Sequence, residues 1–172
     1  MHDPNLNSVR RPTGQAAPPV RPAVTLTGVF ELLVNEHQRA NELLQRLTTE
    51  STEERRTSWP LVRRQLLSHD RAEALEVYSA LEGYDAARDI VAQHAAAAGE
   101  LESAIDELDN LDHDSAEWVG KLRDVLAMIE DHVREEETEF FPRAQGLVGE
   151  AGSLEMRERF VSAQREVIHT LA

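Results

Sequence analysis

Four stretches of this chain carry apolar stripes at helical spacing, and each stripe is interrupted partway along by a histidine. In the first, Leu26, Phe30, Leu33, His37, Ala40, Leu44 and Leu47 follow one another in alternating steps of four and three residues. The second reads Trp59, Val62, Leu66, His69, Glu73, Val77, Ala80, and the third Ala87, Val91, His94, Ala98, Leu101, Ile105, Leu108. The fourth is Trp118, Leu122, Val125, Ile129, His132, Glu136. Steps of three and four put residues on one face of an α-helix. Ala, Leu, Glu and Arg dominate the composition, all good helix formers, so the chain reads as all-α.

Punctuation divides the stripes. Helix 1 is expected from about Thr27 to Thr49, with Thr25 or Thr27 as its cap. Ser51 and Glu54 have the spacing of a capping box ahead of helix 2. Pro60 then implies either a fresh start capped by Ser58 or a kink, and Gly83 is a stop signal. Helix 3 is expected from near Asp85 to the link NLDHDS. Helix 4 opens at Asp114 or Ser115, with Glu117 placed for a capping box, and runs to about Arg143. The segment GLVGEAG reads as a loop. A fifth helix, from about Ser153 to Thr170, carries Leu154, Phe160, Val161, Val167 and Ile168 and is expected to lie across the outside of the bundle or at one end. Five of the seven prolines fall in residues 1–23, which read as a flexible tail ahead of a single domain over 24–172.

Bulk properties exclude several chemistries. The formal net charge of −14 argues against a nucleic-acid partner and against an anionic membrane surface, and is compatible with attracting metal cations. No run of residues is apolar enough to span a bilayer and no signal-peptide core is visible, so a cytoplasmic protein is expected. With no cysteine, a metal would have to be held by nitrogen and oxygen.

The interrupted stripes supply those donors. His37, His69, His94 and His132 each take a stripe position, and Glu73 and Glu136 follow two of them by four residues. Residues four apart on a helix share a face, about 6 Å apart along the axis. One histidine on a helix stripe is ordinarily a core residue whose ring is satisfied. Six such substitutions are different, because each replaces an apolar side chain whose burial is worth roughly 1.5–3 kcal/mol. A buried carboxylate costs several kcal/mol more unless it is paired or metal-bound. Imidazole and carboxylate together suit iron, manganese, zinc or copper. Four histidines and two glutamates exceed what one tetrahedral zinc needs and suit two metals. Tyr78 and Tyr84 are near enough in sequence to support the ligands from outside, although a structural role fits both.

This pattern resembles the hemerythrin-like, or HHE cation-binding, domain, over about Thr27 to Ala144. The segment HVREEETEFFP is similar to that family's second half-motif. HDRAEALEVYSAL is a looser match, with Ala74 where a second acidic residue is common and Ser79 where proline is common. The resemblance implies an up-down-up-down antiparallel four-helix bundle around a non-haem centre of two iron ions, bridged by oxo or hydroxo. Its implied ligands are His37, His69, Glu73, His94, His132 and Glu136, with the glutamates bridging. Oxygen-carrying members have a further histidine where this chain has Ala98 and an aspartate where it has Glu137. An open coordination position favours chemistry or sensing of small oxidants over simple oxygen carriage.

The resulting expectation is a di-iron protein that binds or senses O2 or NO, or decomposes peroxide, with zinc or manganese as other metals the donors accept. The alternative is a metal-binding regulatory or storage module without turnover, acting through a protein partner. A third reading is an interaction bundle without metal. Oligomeric state is not encoded in any of these features.

Overall fold

The structure is a computed structural model and describes residues 24–171. The proline-rich segment 1–23, with the flexible-tail expectation placed on it, lies outside the described residues, as does Ala172. Among the described residues all regular structure is helical. Helix α1 is Gly28–Leu47. Helix α2 spans 52–81 and contains a π-helical turn, Ala74–Tyr78. Helix α3 is Arg88–Asp109. Helix α4 spans 116–148 with a second π turn, Glu136–Phe140, and α5 spans 150–170.

Two separate apolar clusters fix the topology. One unites the start of α1 (Val29, Phe30, Leu33) with the end of α2 (Val77, Tyr78, Leu81), the start of α3 (Ala87, Val91) and the late part of α4 (Phe140, Phe141). The other unites the end of α1 (Leu44, Leu47) with the early part of α2 (Trp59, Val62), the end of α3 (Ile105, Leu108) and the start of α4 (Trp118, Leu122). Starts therefore meet ends at both poles, which makes the first four helices an up-down-up-down antiparallel bundle. The histidine-bearing turns lie between the clusters.

Several expected boundaries shift, each for a local reason. The Ser51–Glu54 capping box is present, and α2 then runs through Pro60 with no fresh start at Ser58. The exposed Pro60 costs one backbone bond, while the buried Trp59 and Val62 beside it hold the helix together. Successive turns, Tyr84 N–H to Leu81 O and Ala87 N–H to Tyr84 O, delay α3 to Arg88. Ser115 caps α4 by accepting from Trp118 N–H, so Glu117 falls one residue short of the capping-box position. GLVGEAG is not a loop: only Gly149, at φ 69° and ψ −177°, leaves helical geometry. That backbone region is essentially glycine's own.

The chain reverses at Gly149 and α5 packs along α1 and α2. A polar clasp fixes its direction. Gln145 Oε1 accepts from the N–H and hydroxyl of Thr27, at 2.9 and 3.1 Å, and Gln145 Nε2 donates to Gly149 O at 3.0 Å. Thr27 Oγ1 and Ser153 Oγ are 2.8 Å apart. The buried face of α5 is Ser153, Met156, Phe160 and Ala163, whereas Leu154 is 49% exposed.

Gly28 marks the closest approach. It has φ +59°, and a Cβ there would lie 2.3 Å from the carbonyl carbon of Ser153. Gly28→Ala is expected to cost at least about 2 kcal/mol in urea unfolding, combining backbone strain with the displacement of α5. Gly146→Ala, in open helical space, is expected to be neutral or slightly stabilising by the same measurement.

Candidate metal centre

All six residues singled out by the stripes converge between the two apolar clusters. His37 Nε2 and His69 Nε2 are 3.2 Å apart. His132 Nε2 is 3.1 Å from Glu136 Oε1, and His37 Nε2 is 3.4 Å from Glu136 Oε2. Glu136 thus places one carboxylate oxygen toward each histidine pair. Donor atoms of His94, His132 and Glu136 all lie within 4.8 Å of one another. Glu73 completes the group, with Oε2 3.8 Å from His69 Nε2.

The two π turns place these carboxylates. One follows Glu73 directly and the other begins at Glu136. Each adds a residue to its helix turn, closed by Ser79 N–H to Ala74 O and Phe141 N–H to Glu136 O. The extra residue swings neighbouring aromatics inward. Tyr78, at the end of the first π turn, donates its hydroxyl to Glu136 Oε1 at 3.1 Å. Phe140 and Phe141, flanking the end of the second, stack on His94 at 4.8 Å and on His37 at 5.7 Å. Tyr84, the other tyrosine considered, is 39% exposed and takes no part.

Outer carboxylates orient two of the rings. His37 Nδ1 is 3.0 Å from Glu137 Oε1, and His69 Nδ1 is 2.8 Å from Glu36 Oε2. With those nitrogens bonded outward, both Nε2 atoms face inward. Glu137 therefore supports His37 while Glu136 faces the interior. Glu36 was not visible as a site residue in the stripes, because a Glu beside a stripe histidine reads as solvent-facing. Asp70 was missed for the same reason. Its Oδ2 is buried without a partner, and burial pushes its carboxyl up to about 6. The remaining histidines among the described residues stand apart: His113 packs on Trp118 at the far pole, and His169 is exposed.

The electrostatics are those of a site short of positive charge. Burial, and then the charge of Glu136, raise Glu73 well above the carboxylate range. Burial would raise Glu136 as well, but hydrogen bonding and charge from His132, with the charges of His37 and His69, hold it below its ordinary value. Burial and the neighbouring His69 lower His37 despite its bond to Glu137, and burial lowers His94. Burial opposes charge on His69 and His132 too, yet Glu36 and Asp70 outweigh it at the first and Glu136 at the second, so both are raised. Burial raises Tyr78, which keeps its proton for Glu136.

Glu73 Oε1 and His94 Nδ1 are buried without a hydrogen-bond partner, and Glu136 Oε2 has only His37 Nε2, 3.4 Å away. Metal cations satisfy such atoms. Two nitrogens each about 2.1 Å from one cation, at right angles, would be about 3 Å apart, close to the His37–His69 spacing. The donor set fits a metal.

The family model of the hemerythrin HHE cation-binding domain matches residues 28–144. The chain belongs to that family. No curated protein and no solved structure matches it. As a hemerythrin HHE domain it is a metal-binding helical bundle, and the matched segment holds all six convergent residues and ends before α5.

The proton on Glu73 gives a sign that can be checked. Its value in the folded, metal-free protein lies above the ordinary 4.5, so its contribution to stability is complete below about 4.5 and is lost as pH rises through the raised value. Glu73→Gln, which mimics the protonated acid, is expected to leave the Tm of metal-free protein unchanged at pH 4.5 and to raise it by roughly 2–8 °C at pH 7.5. Calorimetry in the presence of chelator reads the difference.

Proposed function

We propose that this hemerythrin HHE domain holds two non-haem iron ions and binds or senses O2 or NO, or decomposes peroxide. In this reading His37, His69, His94 and His132 would hold the ions, with Glu73 and Glu136 as the carboxylate ligands between them. The observation that carries it is Glu136, whose two oxygens face different histidine pairs at 3.1 and 3.4 Å. Iron held there would supply one-electron redox chemistry toward a small oxidant.

The protein's own residues do the rest. Glu36 and Glu137 fix the imidazole tautomers, and Tyr78 holds Glu136 through its hydroxyl. Phe140, Phe141 and Phe160 are fully buried and keep bulk water from the rings. A cavity of about 30 Å³ lies against His37, His69 and His132, walled by Leu66, Leu101 and Ile129. That volume admits a guest of a few atoms, in keeping with a diatomic or peroxide. A surface groove between α1 and α4 shares His37, Ile129 and Val133 with the cavity and offers a route in from solvent.

Anaerobic reconstitution with ferrous iron is expected to give two irons per chain, with near-ultraviolet charge-transfer absorption appearing on exposure to air. His69→Ala combined with His132→Ala should drop the content below one. A wild-type content below one iron per chain would overturn the proposal. Peroxide consumption by the loaded protein separates turnover from the alternative, a regulatory or storage module that binds metal and signals to a partner.

A further inference from the structure

Helix α5 lies beyond the segment matched by the family, yet it brings two side chains to the centre. The Phe160 ring meets His69 edge-on at 6.0 Å. Gln164, one turn later, donates from Nε2 to Glu36 Oε2 at 2.9 Å. That same oxygen accepts from His69 Nδ1 at 2.8 Å. A chain of contacts thus runs from α5 through α1 to a histidine of α2.

We propose that Gln164 is a positioning residue of the metal centre: by holding the Glu36 carboxylate it holds the His69 ring with Nε2 turned inward. The proposal rests on the metal reading given above. Its logic is geometric. Glu36 sits at the rim of the bundle, where a flexible carboxylate is free to rotate toward water and leave His69 Nδ1 unpaired. The Gln164 amide removes that freedom, because one oxygen cannot keep both partners and also turn outward. The outward bond at Nδ1 in turn decides which ring nitrogen presents a lone pair to the interior.

The seating of α5 does not depend on this amide. Met156, Phe160 and Ala163 bury its apolar face, the Thr27–Gln145–Ser153 clasp fixes its start, and Arg159 Nε pairs with Glu76 at 3.0 Å. Gln164 can therefore be changed with the helix still docked. Arg159→Ala, which loosens the same helix without touching Glu36, supplies the structural control.

The experiment uses the full chain with two readouts. Cobalt(II) titration, followed by its visible bands, reports affinity and coordination. Nitrogen-15 and proton NMR of the metal-free protein reports the His69 Nδ1 proton. In Gln164→Met, cobalt affinity is expected to fall by about tenfold with a shift in the bands, the low end of what losing an outer partner of a ligand costs. The His69 Nδ1 proton signal should broaden through exchange with water. Gln164→Glu, which sets a second carboxylate against Glu36, should do more of both, and Arg159→Ala neither. Wild-type affinity together with a wild-type His69 signal in Gln164→Met would overturn the proposal, as would equal losses in Arg159→Ala. A wild-type protein that takes up no cobalt would defeat the metal reading, while the NMR signal would still decide whether Gln164 holds His69.

Discussion

Two carboxylates share the buried interior of this molecule, and the surrounding structure is arranged around that burden. Glu73 is 1% and Glu136 0% exposed, and among the described residues no lysine or arginine pairs with either. A buried charge of this kind costs several kcal/mol unless compensated. Compensation within the polypeptide is incomplete: His132, His37 and Tyr78 favour or hold Glu136, but burial and the charge of Glu136 push Glu73 well above the carboxylate range. The two apolar clusters above and below hold this layer in place. Trp59 and Trp118 pack edge-on at one pole, and the phenylalanines close the other. The fold tolerates a polar layer because its apolar area lies on both sides of it.

Much of this was legible as periodicity. Steps of three and four gave the helices, and breaks in the apolar content gave all six inward-facing residues, because a polar side chain on an otherwise apolar face has nowhere else to point. What stayed hidden was what does not follow that period. The stripe of the second helix was expected to reach Ala80, but the π turn adds a residue and buries Leu81 instead. In the fourth helix the same device buries Phe140, Phe141 and Ala144 beyond Glu136. A π turn has no strong compositional mark, so only the cavity it shapes reveals it.

The outer residues were hidden for another reason. Glu36 and Asp70 each stand next to an inward residue, as does Glu137, whose position the family resemblance marks but whose bond to His37 no pattern shows, and adjacent positions on a helix diverge by about 100°. Such neighbours read as solvent-facing, and one-dimensional pattern cannot tell which of them meets another helix. Gln164 was further obscured because α5 was read by its apolar residues. Its buried face includes Ser153 and Ala163, small enough to let the helix lie close, and Leu154 faces outward. The close approach at Gly28 belongs to the same packing, where the absence of a side chain makes room for the Ser153 backbone.

The reversal at Gly149 has a further consequence for how this chain can vary. From that residue to Gln164 the path is uninterrupted helix, so the number of intervening residues acts as an angular setting. Adding or deleting one residue there would rotate everything downstream by about 100° and slide it about 1.5 Å. A change between Ser153 and Phe160 would turn Phe160 and Gln164 away from the centre while the clasp at the start of the helix stayed closed. Length changes should therefore be excluded between 150 and 164, even where the outward surface tolerates nearly any substitution.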